Sequence, residues 1–182
     1  MPATIAVAHG GISIPAASLH ALRRALQASG QDAGELLQAA GAAAGPTMLA
    51  AFGEWLHSER GVDNVGDLDQ THFDEALSSF FGHLGWGTLV VHPLGGGFLA
   101  IDSSDWAEAE LGASEWPTCH FSAGMLPAFL GRVSGHALGA IEMECRSRGD
   151  FHCRFVVGAP ENLKVLYERI TNGASLDQAV QG

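Results

Sequence analysis

Apolar residues recur at intervals of three and four through the first half of the chain. Leu19, Leu22 and Leu26 predict a helix that Pro15 opens and Gly30 ends. Leu36 and Leu37 begin a second helix, which runs into Gly-Ala-Ala-Ala-Gly-Pro at 41–46. Pro46 is expected to open a third, with Met48, Phe52, Trp55 and Leu56 on one face. Residues 60–69 read as loop. Thr71-x-x-Asp74 reads as a capping-box start for a helix carrying Phe73, Leu77, Phe80, Phe81 and Leu84. A short strand is expected at residues 4–8.

The pattern changes at Gly85. Trp86 to Val91 and Phe98 to Ile101 are β-rich runs separated by Pro93 and Gly95-Gly96-Gly97, a hairpin signal. Residues 102–117 are polar and irregular. A helix from about Thr118 to Leu130 fits Phe121, Met125 and Phe129. Ala137 to Glu144 and Phe151 to Val157 form a second strand pair, with Phe151, Cys153, Phe155 and Val157 alternating onto one face. Pro160 then opens a helix with Leu163, Leu166 and Ile170, and residues 172–182 are a short helix or a frayed end. Hairpins imply antiparallel pairing, so the fold class is α+β, an antiparallel twisted sheet of two hairpins packed against a helical layer. One domain, 1–182, is expected, helical over about 15–84 and α+β over about 85–171.

Charge changes the picture mainly by exclusion. The 182 residues carry 9 Lys+Arg against 20 Asp+Glu, a net charge of −11. A nucleic-acid binder needs cations to displace counterions from phosphates, and this surface repels them. No segment resembles a signal peptide, and no uninterrupted apolar run approaches the roughly 20 residues of a membrane span. The expected location is the cytoplasm.

The strongest chemical signal is Cys119, Glu142-Met143-Glu144-Cys145 and Cys153. Three thiols and a carboxylate match the ligand count of zinc, and Cys119 opens a helix whose dipole favours thiolate. Cys145 and Cys153 bracket a hairpin turn that brings their sulfurs together. Spacing leaves the fourth ligand open. An ideal strand puts Glu142 and Cys145 on opposite faces, so Glu142 requires a bulge or twist at the strand end. Glu144 is the other carboxylate, and His120 and His152 each adjoin a cysteine. Three inert buried cysteines are the structural alternative.

Pro117-Thr-Cys119-His-Phe-Ser-Ala-Gly124, Glu142-Met-Glu-Cys145 and Gly149-Asp-Phe-His-Cys153-Arg-Phe155 together resemble the 4-vinyl reductase domain family, most clearly over about 85–158. This family comprises small-molecule or hydrocarbon-binding modules. It includes the sensor half of bacterial activators that respond to phenols and alkylbenzenes, and its fold is related to the TRAPP small subunits. The resemblance implies zinc on Cys119, Glu142, Cys145 and Cys153, and so selects Glu142. It also implies a homodimer, with residues 1–14 as an exchanged or paired element. Four protein ligands leave no open position, which makes the zinc structural.

A pocket is expected between the helical layer and the sheet. Its candidate walls are Phe73, Leu77 and Phe80 from one helix, Phe98 and Ala100 from a strand, Ala123 from the later helix and Ala140 from the second hairpin. The phenol sensors hold the phenolic hydroxyl with a His and a Trp, and Trp106 lies near the matching stretch. They carry bulky residues near where Ala123 and Ala140 stand, so the resemblance implies a larger ligand here, such as a lipid, hydrocarbon or tetrapyrrole. The remaining histidines share no metal-ligand spacing. Arg146, Arg148 and Arg154 are candidates to compensate an anionic metal cluster. The leading reading is a non-catalytic sensor or carrier of an apolar or aromatic small molecule. It would pass its output to a downstream signalling or biosynthetic protein. The rivals are a reductase-like accessory of tetrapyrrole synthesis and a protein–protein interaction module.

Overall fold

The computed structural model describes residues 12–181. The strand expected at 4–8, and all of the 1–14 segment except its last three residues, lie outside that range. α1 spans Ala16–Ala28, behind Pro15. α2 spans Ala33–Arg60 without interruption, so Pro46 lies inside a helix rather than opening one. Pro46 is exposed. Its ring sits on the solvent side, where water satisfies the carbonyl that loses its i+4 donor. Asp32 caps α2 by accepting the Glu35 amide at 2.9 Å, and Gly61 ends it at a φ of 65°. α3, Gln70–His83, is capped by Asp69, which accepts the His72 amide at 2.9 Å. The capping box expected at Thr71 is displaced by two residues.

By length and composition alone, the 28-residue α2 meets the minimum for crossing a bilayer. In this fold its Leu37, Gly41, Gly45, Phe52 and Leu56 face is buried. Much of that face lies against α4, His120–Ser134. The two helices approach closely because the contact is made by glycines. A Cβ on Gly41 would sit on the Phe121 carbonyl, one on Gly45 would lie 2.7 Å from the Ala128 Cβ, and one on Gly124 would sit on the Gln38 carbonyl.

The sheet comprises β1 (Val90–Gly95), β2 (Phe98–Ser103), β3 (Gly139–Glu144) and β4 (Cys153–Gly158), in the order β1-β2-β4-β3 with every pair antiparallel. Alternation sends Leu99, Ile101, Ala140, Glu142, Cys153, Phe155 and Val157 to the face covered by α2, α3 and α4. There Phe52, Phe80, Phe81, Trp106, Phe129 and Phe155 form the core. Phe98, Ile141, Arg154 and Val156 point to the other face, which α5 (Pro160–Thr171) and α6 (Leu176–Gln181) cover through Leu163, Leu166, Ala179 and Val180. The sheet is therefore clothed on both faces, not one. Phe151 stands in the turn before β4, 97% exposed, and does not join the alternating run.

Candidate metal centre and adjoining cavity

β3 carries a register shift. Glu142 pairs with Phe155 and Glu144 with Arg154, so Met143 is an extra residue. This is the bulge that Glu142 requires. It returns Cys145 to the inner face beside Glu142 and turns Glu144 outward. The turn from Cys145 to Asp150 closes as Asp150 accepts the Cys145 amide at 2.8 Å, with Gly149 at a φ of 100°. That turn carries the chain back to Cys153. Cys119, the N-cap of α4, completes the group, and its sulfur lies 3.8 Å from both Cys145 Sγ and Cys153 Sγ.

One ligand atom from each of Cys119, Glu142, Cys145 and Cys153 lies within 4.8 Å of the other three, which is close enough to hold a metal ion. Glu142 Oε2 accepts the Cys119 amide at 2.8 Å, while Oε1 is buried with no hydrogen-bond partner among the described residues. A buried carboxylate oxygen without a donor is costly, and a cation satisfies it. Electrostatics argue the same way. Burial, and then Cys145, pushes the Glu142 carboxyl up to about 9. Hydrogen bonds to Cys145 and Cys153, with burial, push the Cys119 thiol well above its usual value. Bonds from Cys119 and Cys153 hold the Cys145 thiol well below its own. Four acidic groups in this space share little negative charge unless a cation joins them.

The other candidates for the fourth ligand face elsewhere. Glu144 and Asp102 pair with Arg154 on the outer face, at 3.0 and 2.7 Å. His152 Nε2 lies there too, 3.4 Å from Glu144. The His120 ring stands 3.4 Å from where a Cβ on Gly34 would lie, at the start of α2. Two of the three arginines do not compensate the thiols in the expected way, since Arg154 belongs to this outer cluster and Arg148 pairs with Asp150 at 2.7 Å; Arg146 contributes its backbone amide, which hydrogen-bonds Cys153.

Near the cysteine cluster lies a cavity of about 450 Å³, walled by Ile14 and Leu19 at the start of α1, Ala44, Met48 and Ala51 of α2, Trp86, Glu108, and Phe121 and Met125 of α4. Trp86 and Phe121 stack 5.8 Å apart, at an interplanar angle of 11°. Glu108, 1% exposed, accepts the Phe121 amide at 2.9 Å, the Ser122 amide at 2.8 Å and the Ser122 hydroxyl. It thus caps α4 from a distant loop. The same Ser122 hydroxyl accepts from Trp106 Nε1 at 2.8 Å. Burial raises the Glu108 carboxyl to about 7 against the bonds from Ser122 and Phe121. Arg23, 4% exposed, ties α1 to this region through the Glu108 carbonyl (3.4 Å), Thr118 Oγ1 (3.0 Å) and Glu110 (3.0 Å).

The expected pocket between helices and sheet is only partly present. Phe73 and Leu77 line a smaller recess of about 180 Å³, with Val91, Leu99, Ile101 and Leu130. Phe80 is core, packed 5.2 Å from Phe52. Trp106 is buried behind the large cavity, 5.5 Å from Trp86. Ala123 and Ala140 are buried and border neither space. Phe98 and Ala100 are placed on the sheet's other face, where Phe98 packs with Leu163 and Leu166. They cannot wall a pocket on the α4 side, because an even spacing along β2 turns both outward. Glu108, Trp86 and Met48 line the cavity without a motif that marks them for it. The one sequence signal is a loop acid preceding Pro117 and a helix whose own N-cap is a cysteine.

Residues 104–159 match the 4-vinyl reductase domain. No curated protein sequence matches the chain. Among solved structures, the chain is similar to the phenol-responsive sensory domain of the transcription activator PoxR, determined with phenol. The match has 19% identity and a TM-score of 0.63, and covers 82% of this chain and 77% of that one. A vinyl-4-reductase family protein from Methanocaldococcus jannaschii matches at 26% identity and a TM-score of 0.41, over 46% of this chain and 55% of that one. The likeness to the PoxR domain is one of fold, an open antiparallel four-stranded sheet with helices. The segment that matches the 4-vinyl reductase domain is the one that bears Glu108, Cys119, Glu142, Cys145 and Cys153.

Proposed function

We propose that the chain is a non-catalytic ligand-binding domain, a sensor or carrier for an apolar or aromatic small molecule, stiffened by structural zinc. The carrying observation is the cavity of about 450 Å³ in a fold shared with a phenol-responsive sensory domain. Its size falls within the range of sites that enclose small organic ligands. It exceeds what a single phenol ring fills, which supports a larger ligand. The walls that support this reading are those of α1, α2 and α4, rather than Ala123 and Ala140.

Zinc would be held by Cys119, Glu142, Cys145 and Cys153. Thiolates favour it, and the 3.8 Å sulfur spacing suits two ligands about 2.3 Å from one tetrahedral centre. When bound it supplies a cross-link and charge neutralisation rather than a reactive water. It joins the start of α4 to the second hairpin, and so fixes the wall that carries Phe121 and Met125. Free buried thiols suit a reducing, cytoplasmic setting. The reading includes a homodimer and a downstream partner that reads the bound state.

Native mass spectrometry tests zinc, subunit count and co-purified ligand together. The expected result is one zinc per chain and two chains per particle. Zinc-free protein of unchanged thermal stability refutes the metal assignment. N-phenyl-1-naphthylamine fluorescence should rise with wild type and not with Ala44→Phe, which fills the cavity. No difference between the two refutes the ligand site.

A further inference from the structure

We infer that Arg23 is a positioning residue for the metal centre. From α1 it holds the groups that serve Cys145, so metal loading and the docking of the cavity's outer wall stabilise each other. This rests on the zinc reading of the cysteine cluster given above.

α1 has one buried side chain, and it is a cation, Arg23. Leu19 and Arg23 stand four residues apart and share a face of the helix. Leu19 walls the cavity, and one turn further on Arg23 meets the segment that precedes α4. The guanidinium is clasped there at two points. Nη1 donates to Thr118 Oγ1 and Nη2 to Glu110 Oε2, both at 3.0 Å. Both partners converge on one buried hydroxyl in the turn that follows Cys145. Ser147 Oγ accepts the Thr118 hydroxyl at 2.7 Å and the Glu110 amide at 2.9 Å. The Thr118 amide in turn donates to Cys145 Sγ. A single residue, Thr118, therefore stands between the cavity helix and a metal-ligating sulfur.

The coupling follows from what each side needs. Thr118 has one hydroxyl proton, which it gives to Ser147 while accepting from Arg23. With Arg23 in place, the residue whose amide serves Cys145 is held from both ends. In the other direction, Cys119 directly follows Thr118. A cation that joins Cys119 to Cys145 fixes the Arg23 acceptor against the turn. A buried guanidinium tolerates no slack there, because a drifting acceptor strands its donor without water. Arg24 provides the contrast. It is 56% exposed and reaches the Glu110 carboxylate alone.

Hydrogen exchange of the intact protein, read by mass spectrometry, tests this. β4 residues Phe155–Val157 report opening of the whole domain, and α1 reports docking. Removing zinc with a chelator should speed exchange in α1 about tenfold while β4 stays protected. Zinc-loaded Arg23→Met should show the same loss in α1, and Arg24→Met should stay within about twofold of the wild type. In the reverse direction, Arg23→Met should lower zinc affinity about tenfold, by competition with 4-(2-pyridylazo)resorcinol, and Arg23→Lys should recover part of it. α1 exchange that ignores zinc overturns the inference. So does loss of protection in α1 and β4 together, which would make the metal a support of the whole fold rather than a partner of α1. Both outcomes use wild-type protein and need no variant to fold. Unchanged zinc affinity in Arg23→Met overturns it as well. If the wild type binds no zinc, the metal reading falls and the inference with it.

Discussion

Glycine-to-alanine substitution at two positions of α2 should have opposite effects, and the difference measures the α2–α4 contact. Gly53 has nothing within 4 Å of where its Cβ would stand. Gly53→Ala therefore expresses helix propensity alone, a stabilisation of about 0.5–1 kcal/mol. Gly41 gains the same propensity, but its Cβ would sit on the Phe121 carbonyl oxygen, 2.8 Å from that carbon and 3.0 Å from the Met125 amide nitrogen. These are backbone atoms, so no rotamer change relieves them and α4 must move. Overpacking of this kind costs about 1–3 kcal/mol, and contact with backbone belongs at the upper end. With propensity subtracted, Gly41→Ala should lose about 2 kcal/mol. For a chain of 182 residues, that lowers Tm by roughly 4–8 °C, while Gly53→Ala raises it by roughly 2–3 °C. The sites stand twelve residues apart, about 18 Å along the helix, so the double variant should be additive. Circular dichroism at 222 nm during heating reads all three. A Gly41→Ala protein as stable as the wild type would refute the close packing of α2 on α4.

Four further outcomes are expected. Cys153→Ser should lower bound zinc and Tm together, read by metal analysis and melting; an unchanged melt with metal lost would show that the cluster is not structural. Burial holds the Glu108 carboxyl at about 7 in the fold against an ordinary 4.5, so its contribution is present below pH 4.5 and lost as pH rises through 7. That loss is about 3 kcal/mol, and urea titrations should show Glu108→Gln with a correspondingly flatter slope over this window. Arg23→Met removes the side-chain donor of the Glu108 carbonyl and one bond of the Thr118 hydroxyl, which keeps Ser147, and should cost about 3 kcal/mol in urea, with Arg23→Lys recovering only part because one ammonium cannot match the guanidinium fork. Phe98→Ala should cost about 3–5 kcal/mol yet leave the N-phenyl-1-naphthylamine response unchanged, since Phe98 packs under α5 and α6.

Periodicity makes much of this molecule legible. The helix after Cys119, the second hairpin and the Pro160 helix stand close to where spacing puts them, whereas the first strand, expected at Trp86 to Val91, runs over Val90–Gly95 and takes Pro93 into an edge strand. The cysteines and Glu142 lie together because a turn and a bulge bring them there, and the residue spacing requires both. Local chemistry favours Pro46 as a helix start. What decides its place is which side of α2 faces water, a tertiary fact. Phe98 and Ala100 belong to the opposite face from the one expected, because alternation tells which residues share a side, not which element covers it. Glu108 is invisible in sequence for a similar reason. A cap supplied from another loop leaves no mark in the helix it caps.

β4 has a strand on either side and helices over both faces. Its interior residues Phe155, Val156 and Val157 are at most 1% exposed. No local fluctuation frees an amide there, so the strand should exchange its hydrogens only when the whole domain opens. Cys153 begins that strand, which roots the cysteine–glutamate cluster in what should be the slowest-opening part of the molecule. α1, by contrast, is amphipathic and largely solvent-facing, and it is fastened by Arg23 and Arg24. Exchange should therefore grade from fast at the cavity's α1 rim to slow at β4. If the cavity takes a ligand, its arrival should be felt first at the rim, as added protection in α1, with the cysteine side unmoved.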